Sequence, residues 1–284
     1  MLKDRPSLTA QRVALSRAAH QLYDQPRILE DPIALAIIGA RAESQIRHHR
    51  RRFEVPLARH LRAFLVARSR VADEALGAAV ARGVRQYVVL GAGLDTFAFR
   101  NPYCDSLLRV FEVDHPATQA WKRRRLAAAG LEPPRSLTFV PIDFETQSLA
   151  AVLPEAGLHS EQPTFFSWLG VTMYLTAASV RATLRYVAGS VPQGSAIVFD
   201  YPVPAAGLGL ARRLAARALL VRVAAAGEPW KAFFAAGELA TELRALGFSD
   251  TEDLGPEELN ARFFCDRRDG LRVAGLGRVL RAQR

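Results

Sequence analysis

The stretch Tyr87-Val88-Val89-Leu90-Gly91-Ala92-Gly93-Leu94-Asp95-Thr96 constrains this chain more than any other, because an apolar β-type run passes directly into two glycines one residue apart. Gly91 and Gly93 can adopt positive φ and carry no Cβ, so the chain can turn sharply at the carboxyl end of a strand and leave room for a ligand above it. A dinucleotide fingerprint needs a third glycine at position 96, where a helix packs over the pyrophosphate; Thr96 stands there instead. A dehydrogenase is therefore disfavoured. About twenty residues on, a second run of β-formers ends in Glu112-Val113-Asp114, where an acid can accept from ribose hydroxyls. Two glycines followed by this acid suit a nucleoside cofactor with a ribose and no phosphate.

From position 86 the pattern alternates short β-rich runs (86–90, 108–113, 137–142, 164–169 and 196–201) with helical ones near 96, 117–129 and 177–190. That alternation predicts an α/β fold with a mainly parallel sheet and helices on both faces. Helical periodicity at 9–23, 31–38 and 56–82 predicts an N-terminal helical cap. A segment rich in alanine and arginine at 203–231 interrupts the rhythm without adding a strand and reads as an inserted helical lid. A helix is expected at 237–246 and antiparallel edge strands within 248–274. With 284 residues, half of them hydrophobic, the expectation is one domain spanning 1–284. It divides into a cap (1–85), a cofactor-binding core (86–202), the lid (203–231) and the rest of the core (232–284).

The net charge of +10 raises nucleic acid as a partner. No aromatic-interleaved basic platform or nucleic-acid module accompanies the runs Arg47 to Arg52 and Lys122 to Arg125. The second run reads as a solvated helix face; for the first, attraction of an anionic substrate is the alternative to the same plain surface role. Cys104 and Cys265 offer neither a disulfide framework nor a zinc set, and the six histidines show no ligand spacing, so no metal is expected. No membrane span or secretory leader is read, and the expected location is cytoplasmic.

Four motifs in one order carry a resemblance: V-L-G-A-G-L-D-T at 89–96, F-E-V-D-H-P at 111–116, V-P-I-D-F at 140–144 and F-S-W-L-G-V-T-M-Y-L-T at 166–176. On these residues the chain resembles S-adenosylmethionine-dependent methyltransferases of the leucine carboxyl methyltransferase type, especially the bacterial small-molecule O-methyltransferase branch. The resemblance implies a class I, Rossmann-like methyltransferase fold and S-adenosyl-L-methionine as cofactor. It implies that Arg68 holds the methionyl carboxylate, with Arg17 as a second basic contact, and that Gly91 and Gly93 line the methionine moiety. Asp114 would take the ribose hydroxyls, and Asp143 with the Phe144 backbone the adenine. Asp95 would brace the loop, meet the methionyl amine through water, or cap a helix. A helix cap is also open for Asp143, and a solvated helix arginine for Arg68.

Members of the eukaryotic branch carry a glutamate where Leu169 stands, which weighs against a peptide C-terminus as the substrate. The expected acceptor is an oxygen of a small acidic metabolite, carboxylate favoured over hydroxyl. A carboxylate needs no general base; for a hydroxyl, Tyr174, His115 and His159 are the candidate catalytic residues. The alternatives are a nucleic-acid methyltransferase or a cofactor-binding protein without turnover. Neither a nucleic acid nor a membrane is expected as partner.

Overall fold

The computed structural model describes residues 8–143, 147–207 and 229–284, with positions 213, 217, 220, 221 and 224. Seven strands form one sheet in the order β3-β2-β1-β4-β5-β7-β6. They are β1 (Gln86–Leu90), β2 (Arg109–Asp114), β3 (Leu137–Pro141), β4 (Thr164–Trp168), β5 (Ala196–Pro202), β6 (Asp250–Leu254) and β7 (Gly277–Gln283). The first five run parallel, and β7 lies antiparallel between β5 and β6. The chain winds outward from β1 through β2 to β3, then returns to place β4 on the other side of β1. That reversal opens a crevice beyond the carboxyl ends of β1 and β4, where ligands of open α/β sheets bind.

Side chains alternate along the central strands, and both faces are covered. Val88, Leu90, Phe111, Phe166, Phe199 and Tyr201 pack on one face against Leu153, Leu184 and Leu243. Tyr87, Val89, Val110, Phe165 and Val198 pack on the other against Leu76, Val80 and Leu259. Two-sided burial explains why these strands read as continuous apolar runs. A third apolar cluster, including Ala14, Ala18, Ile37, Ile46, Leu94 and Leu126, ties the N-terminal helices to the crevice.

Three expectations change. The Arg47 to Arg52 run is helical, shared between Ala40–His48 and Arg50–Phe53; only Ile46 of these residues is buried, so no apolar stripe announces them. The turn after β1 enters a single 3₁₀ turn, Phe97–Phe99, rather than a long helix. At the C-terminus, β6 and β7 are separated by the helix Pro256–Phe263, and β7 lies beyond the expected 248–274. Among the described residues no helix is long and apolar enough to cross a membrane.

Candidate active site

The turn after β1 forms as its glycines suggest. Gly91 has φ +68° and Gly93 φ +51°, and their reasons for lacking a Cβ differ. A Cβ on Gly91 would collide with Val171 Cγ2, whereas one on Gly93 would come within 3.0 Å of Ala10 Cβ on the first helix, Leu8–Tyr23. The turn is thus wedged between the loop after β4 and the N-terminal cap. Gly91 N and Ala92 N both donate to Val113 O, at 2.8 and 3.1 Å. Asp114, at the end of β2, accepts from Gly93 N at 2.5 Å and from His115 N at 2.6 Å. Burial pushes its carboxyl up despite these two N–H bonds. Each oxygen retains capacity to accept a further hydrogen bond.

Arg17 reaches the same turn from the first helix. It donates through Nη2 to Leu94 O, and lies 3.5 Å from Asp31 Oδ2 and 3.6 Å from Asp95 Oδ2. Asp95 also accepts from Phe97 N at 2.8 Å, so it caps the 3₁₀ turn while facing Arg17. Burial would raise the Asp95 carboxyl, but the charges of Arg17, Lys122 and Arg100 hold it below its usual range. Thr96, where the third glycine would stand, donates to Asp31 Oδ2 at 2.7 Å. The residue that weakens the dinucleotide reading therefore fastens the turn to the cap.

On the other wall, Arg68 projects from the long helix Pro56–Ala81. Its Nη1 donates to Asp200 Oδ2 at 2.6 Å, while its Nε is buried without a partner. Gly170, just beyond β4, has φ +76° and donates its N–H to Asp200 Oδ1 at 2.5 Å. The next turn, Thr172–Tyr174, places the Tyr174 hydroxyl 3.4 Å from Thr9 Oγ1, so Tyr174 touches the roof formed by the first helix. Lys231 N donates to Met173 O at 2.7 Å, which brings the end of the expected lid against this turn. Most of 203–231, together with Phe144, lies outside the described residues.

His115 is a helix cap: its Nδ1 accepts from Ala117 N at 3.2 Å at the start of Pro116–Ala128. His159 is not at the crevice. Its backbone pairs with Gln86 at the amino end of β1, and its side chain is exposed, 3.5 Å from Glu161. Asp143 lies just past β3, half-buried, with its N–H donating to Gln147 Oε1 at 3.2 Å. Among the described residues no group of three or more His, Cys, Asp or Glu is arranged to hold a metal ion.

The solvated-face reading of Lys122 to Arg125 fails for Lys122. It is 1 % exposed and forms a 2.5 Å ion pair with the buried Glu112 of β2. Arg125 is half-buried and donates to Ile38 O, whereas Arg123 and Arg124 are exposed, Arg123 lying over the Phe139 ring. Of the buried acids Asp24, Asp31, Glu112 and Asp200, the first two carried no sequence signal, whereas Glu112 and Asp200 did, as acids toward the carboxyl end of a strand, where ligands of such sheets bind.

A glycine turn and an acid at the switch point of a 3-2-1-4-5-7-6 sheet define a class I methyltransferase fold. Two solved structures share that fold over nearly the whole chain. One is a DUF574 family protein from Streptomyces avermitilis, with TM-score 0.55, 16% identity, and 98% of each chain covered. The other is a provisionally assigned methyltransferase from Thermobifida fusca YX, with TM-score 0.55, 17% identity, and 99% of this chain and 95% of that one covered. Over 292 aligned residues the chain is 35% identical to the provisionally named S-adenosyl-L-methionine-dependent methyltransferase YktD of Bacillus subtilis (strain 168), with 95% of each covered. Residues 10–188 match the family model described as leucine carboxyl methyltransferase. The chain belongs to the leucine carboxyl methyltransferase family, and is an S-adenosylmethionine-dependent methyltransferase.

Proposed function

We propose that this protein transfers the methyl group of S-adenosylmethionine to an oxygen of a small acidic metabolite, with a carboxylate favoured over a hydroxyl. The observation that carries the preference is the hydrogen bond from Ala117 N to His115 Nδ1. A neutral imidazole has one nitrogen lone pair, and here that lone pair caps a helix. His115 could take a proton from an alcohol only by giving up the cap. The Tyr174 hydroxyl is engaged with Thr9, and His159 is at the far end of the sheet. A carboxylate, with an ordinary pKa near 4, arrives ionised and needs no base.

The crevice fits the cofactor's parts. The buried, unpartnered Nε of Arg68 suits a methionyl carboxylate, which a guanidinium can clamp. Asp114 would accept from the ribose hydroxyls, Gly91 and Gly93 would line the methionine moiety, and Asp143 with the Phe144 backbone would meet the adenine. Asp95 braces the turn through Phe97 N and faces Arg17, and Arg17, which holds Leu94 O through Nη2 while its buried Nε makes no hydrogen bond, would be the second basic contact. When bound, the sulfonium supplies an activated methyl group. The protein's own contribution is to orient acceptor and donor and to exclude water. The first helix covers the turn from one side, and the segment at Trp230-Lys231 closes on Met173 from the other.

Exposed Arg51 and Arg52, beside His48, His49 and Glu54, border an open surface groove; their charge favours acidic acceptors at low salt. The engagement of Lys122 and Arg125 with protein groups weighs against a nucleic-acid face there. The two exposed thiols, Cys104 and Cys265, are unbridged, in keeping with the cytoplasm.

The test is methyl-labelled S-adenosylmethionine with a panel of carboxylic acids, phenols and mixed RNA and DNA. A product that releases labelled methanol in mild alkali is an ester and supports the proposal. An alkali-stable product from a phenol would move the acceptor to hydroxyl, and label on nucleic acid would replace the reading. Tight cofactor binding with no product across the panel would favour a protein without turnover.

A further inference from the structure

We propose that Asp200 is a positioning residue for the methyl donor. It holds the Arg68 guanidinium by one nitrogen and leaves the rest of the fork for the donor's carboxylate. The inference rests on the reading of Arg68 given under the proposed function.

Asp200 lies on β5 with 0 % exposure and is the one charged residue of that strand. A carboxylate there is costly unless its partners compensate it. All of its recorded partners outside the sheet ladder are at the crevice. Oδ2 accepts from Arg68 Nη1 at 2.6 Å, Oδ1 accepts from Gly170 N at 2.5 Å, and the backbone oxygen accepts from Thr172 Oγ1 at 2.5 Å. One side chain therefore fixes a wall of the crevice and the turn that leads to Tyr174.

The pair with Asp200 does not saturate the arginine: it engages one nitrogen and leaves Nε buried without a hydrogen-bond partner. Nη2 lies beside Gly170, where a Cβ would approach to 2.8 Å. Glycine at 170 keeps the space beside the fork open, and its φ of +76° is one that few other residues adopt. Two N–H groups of a guanidinium directed at one place form a site for a planar anion.

The experiment compares two ligands that differ in the amino-acid part alone. S-adenosylhomocysteine carries the carboxylate, and 5′-deoxy-5′-methylthioadenosine does not. Binding of both is titrated calorimetrically against the wild-type protein and D200N. The expected result is a ten- to hundred-fold loss of S-adenosylhomocysteine affinity, about the range of a charge-assisted hydrogen bond, with methylthioadenosine held within about two-fold. Should D200N fail to fold, D200E keeps the charge, moves it by one methylene and gives the same comparison. Equal losses for both ligands would make Asp200 a structural residue and overturn the inference, as would no loss for either. Failure of the wild-type protein to bind S-adenosylhomocysteine would instead overturn the cofactor reading beneath it.

Discussion

Arg62 and Arg68 are buried on the same helix, six positions apart, and they are used in opposite ways. Every guanidinium nitrogen of Arg62 is engaged. Nε and Nη2 donate to Asp24 at 2.7 and 2.9 Å, Nη2 also donates to Glu54 at 3.0 Å, and Nη1 donates to Phe53 O at 2.6 Å. Asp24 in turn meets His20 Nδ1 at 2.8 Å, while His20 Nε2 accepts from Ile28 N and Leu29 N at 3.0 and 3.3 Å. The imidazole thus carries its proton on Nδ1, toward Asp24. Arg68 has one carboxylate contact and an orphaned Nε. A closed network spends its hydrogen-bonding capacity on the fold, whereas an open one retains capacity that a ligand can use. Arg17 Nε, Asp31 Oδ1 and Glu112 Oε1 are likewise buried without a hydrogen bond, as are Arg100 Nε, Thr251 Oγ1 and Arg284 Nη1 elsewhere in the chain, so an open group marks a ligand contact only where it also borders the crevice.

The largest effect that could break this comparison is on stability. Arg62→Ala leaves Asp24 charged and buried, and should lower the unfolding free energy by about 3–5 kcal/mol, read from the urea midpoint, with the cofactor affinity of the folded fraction unchanged. A loss below about 1 kcal/mol would mean that the closed network is not structural.

Arg68→Lys should do the reverse. The ammonium still faces Asp200, so stability should stay within about 1 kcal/mol, while loss of the fork should weaken S-adenosylmethionine binding by about 1.5–3 kcal/mol. A calorimetric affinity equal to that of wild type would remove Arg68 from the cofactor site.

Asp24 of the closed network and Asp114 at the glycine turn also titrate in different windows. Burial alone would raise the Asp24 carboxyl, but hydrogen bonds from His20 and Arg62 and the Arg62 charge bring it below its usual range. Its contribution to stability should therefore be present above the unfolded-state value near 4 and be lost as pH falls through the lower folded-state value. Burial raises the Asp114 carboxyl, so it stays protonated to a higher pH than an ordinary aspartate and then cannot accept from two hydroxyls as well. Cofactor affinity should rise with pH through that raised value, with protons released on binding, and Asp114→Asn should flatten the profile. A flat wild-type profile, measured by calorimetry in buffers of different ionisation heat, would remove Asp114 from the ribose contact.

The smallest effect separates members of one basic run. Arg124→Ala should change stability by less than about 0.5 kcal/mol, because its side chain is in solvent. Lys122→Ala leaves Glu112 buried and unpaired, and chemical denaturation should show a clear loss. Equal behaviour of the two would restore the reading of the whole run as a solvated face.

The same contrast marks how far the sequence could be read. β1 falls at 86–90 and the helix Ala177–Ser190 at 177–190 as their patterns predict, because β-rich burial and an amphipathic face are both local signals. The glycine turn was legible for the same reason, since glycine spacing and strand ends lie close together in the chain. The helices at 40–53 bury a single apolar side chain, Ile46, and so carry no stripe to read. β7 joins the sheet between β5 and β6 through pairings such as Phe199 with Leu280 and Asp253 with Leu280; no local pattern specifies that order. The burial of Lys122 depends on Glu112, ten residues away on another element.

By itself, the sequence determined the class of sheet, the place of the glycine turn and the family, all of which rest on residues near one another in the chain. Only the tertiary structure decided which charges are spent and which are held open, because Arg17 meets Leu94 across 77 residues and Arg68 meets Asp200 across 132. Such partners are brought together by packing, and their hydrogen-bond capacity is apportioned only once the helices have docked on the sheet.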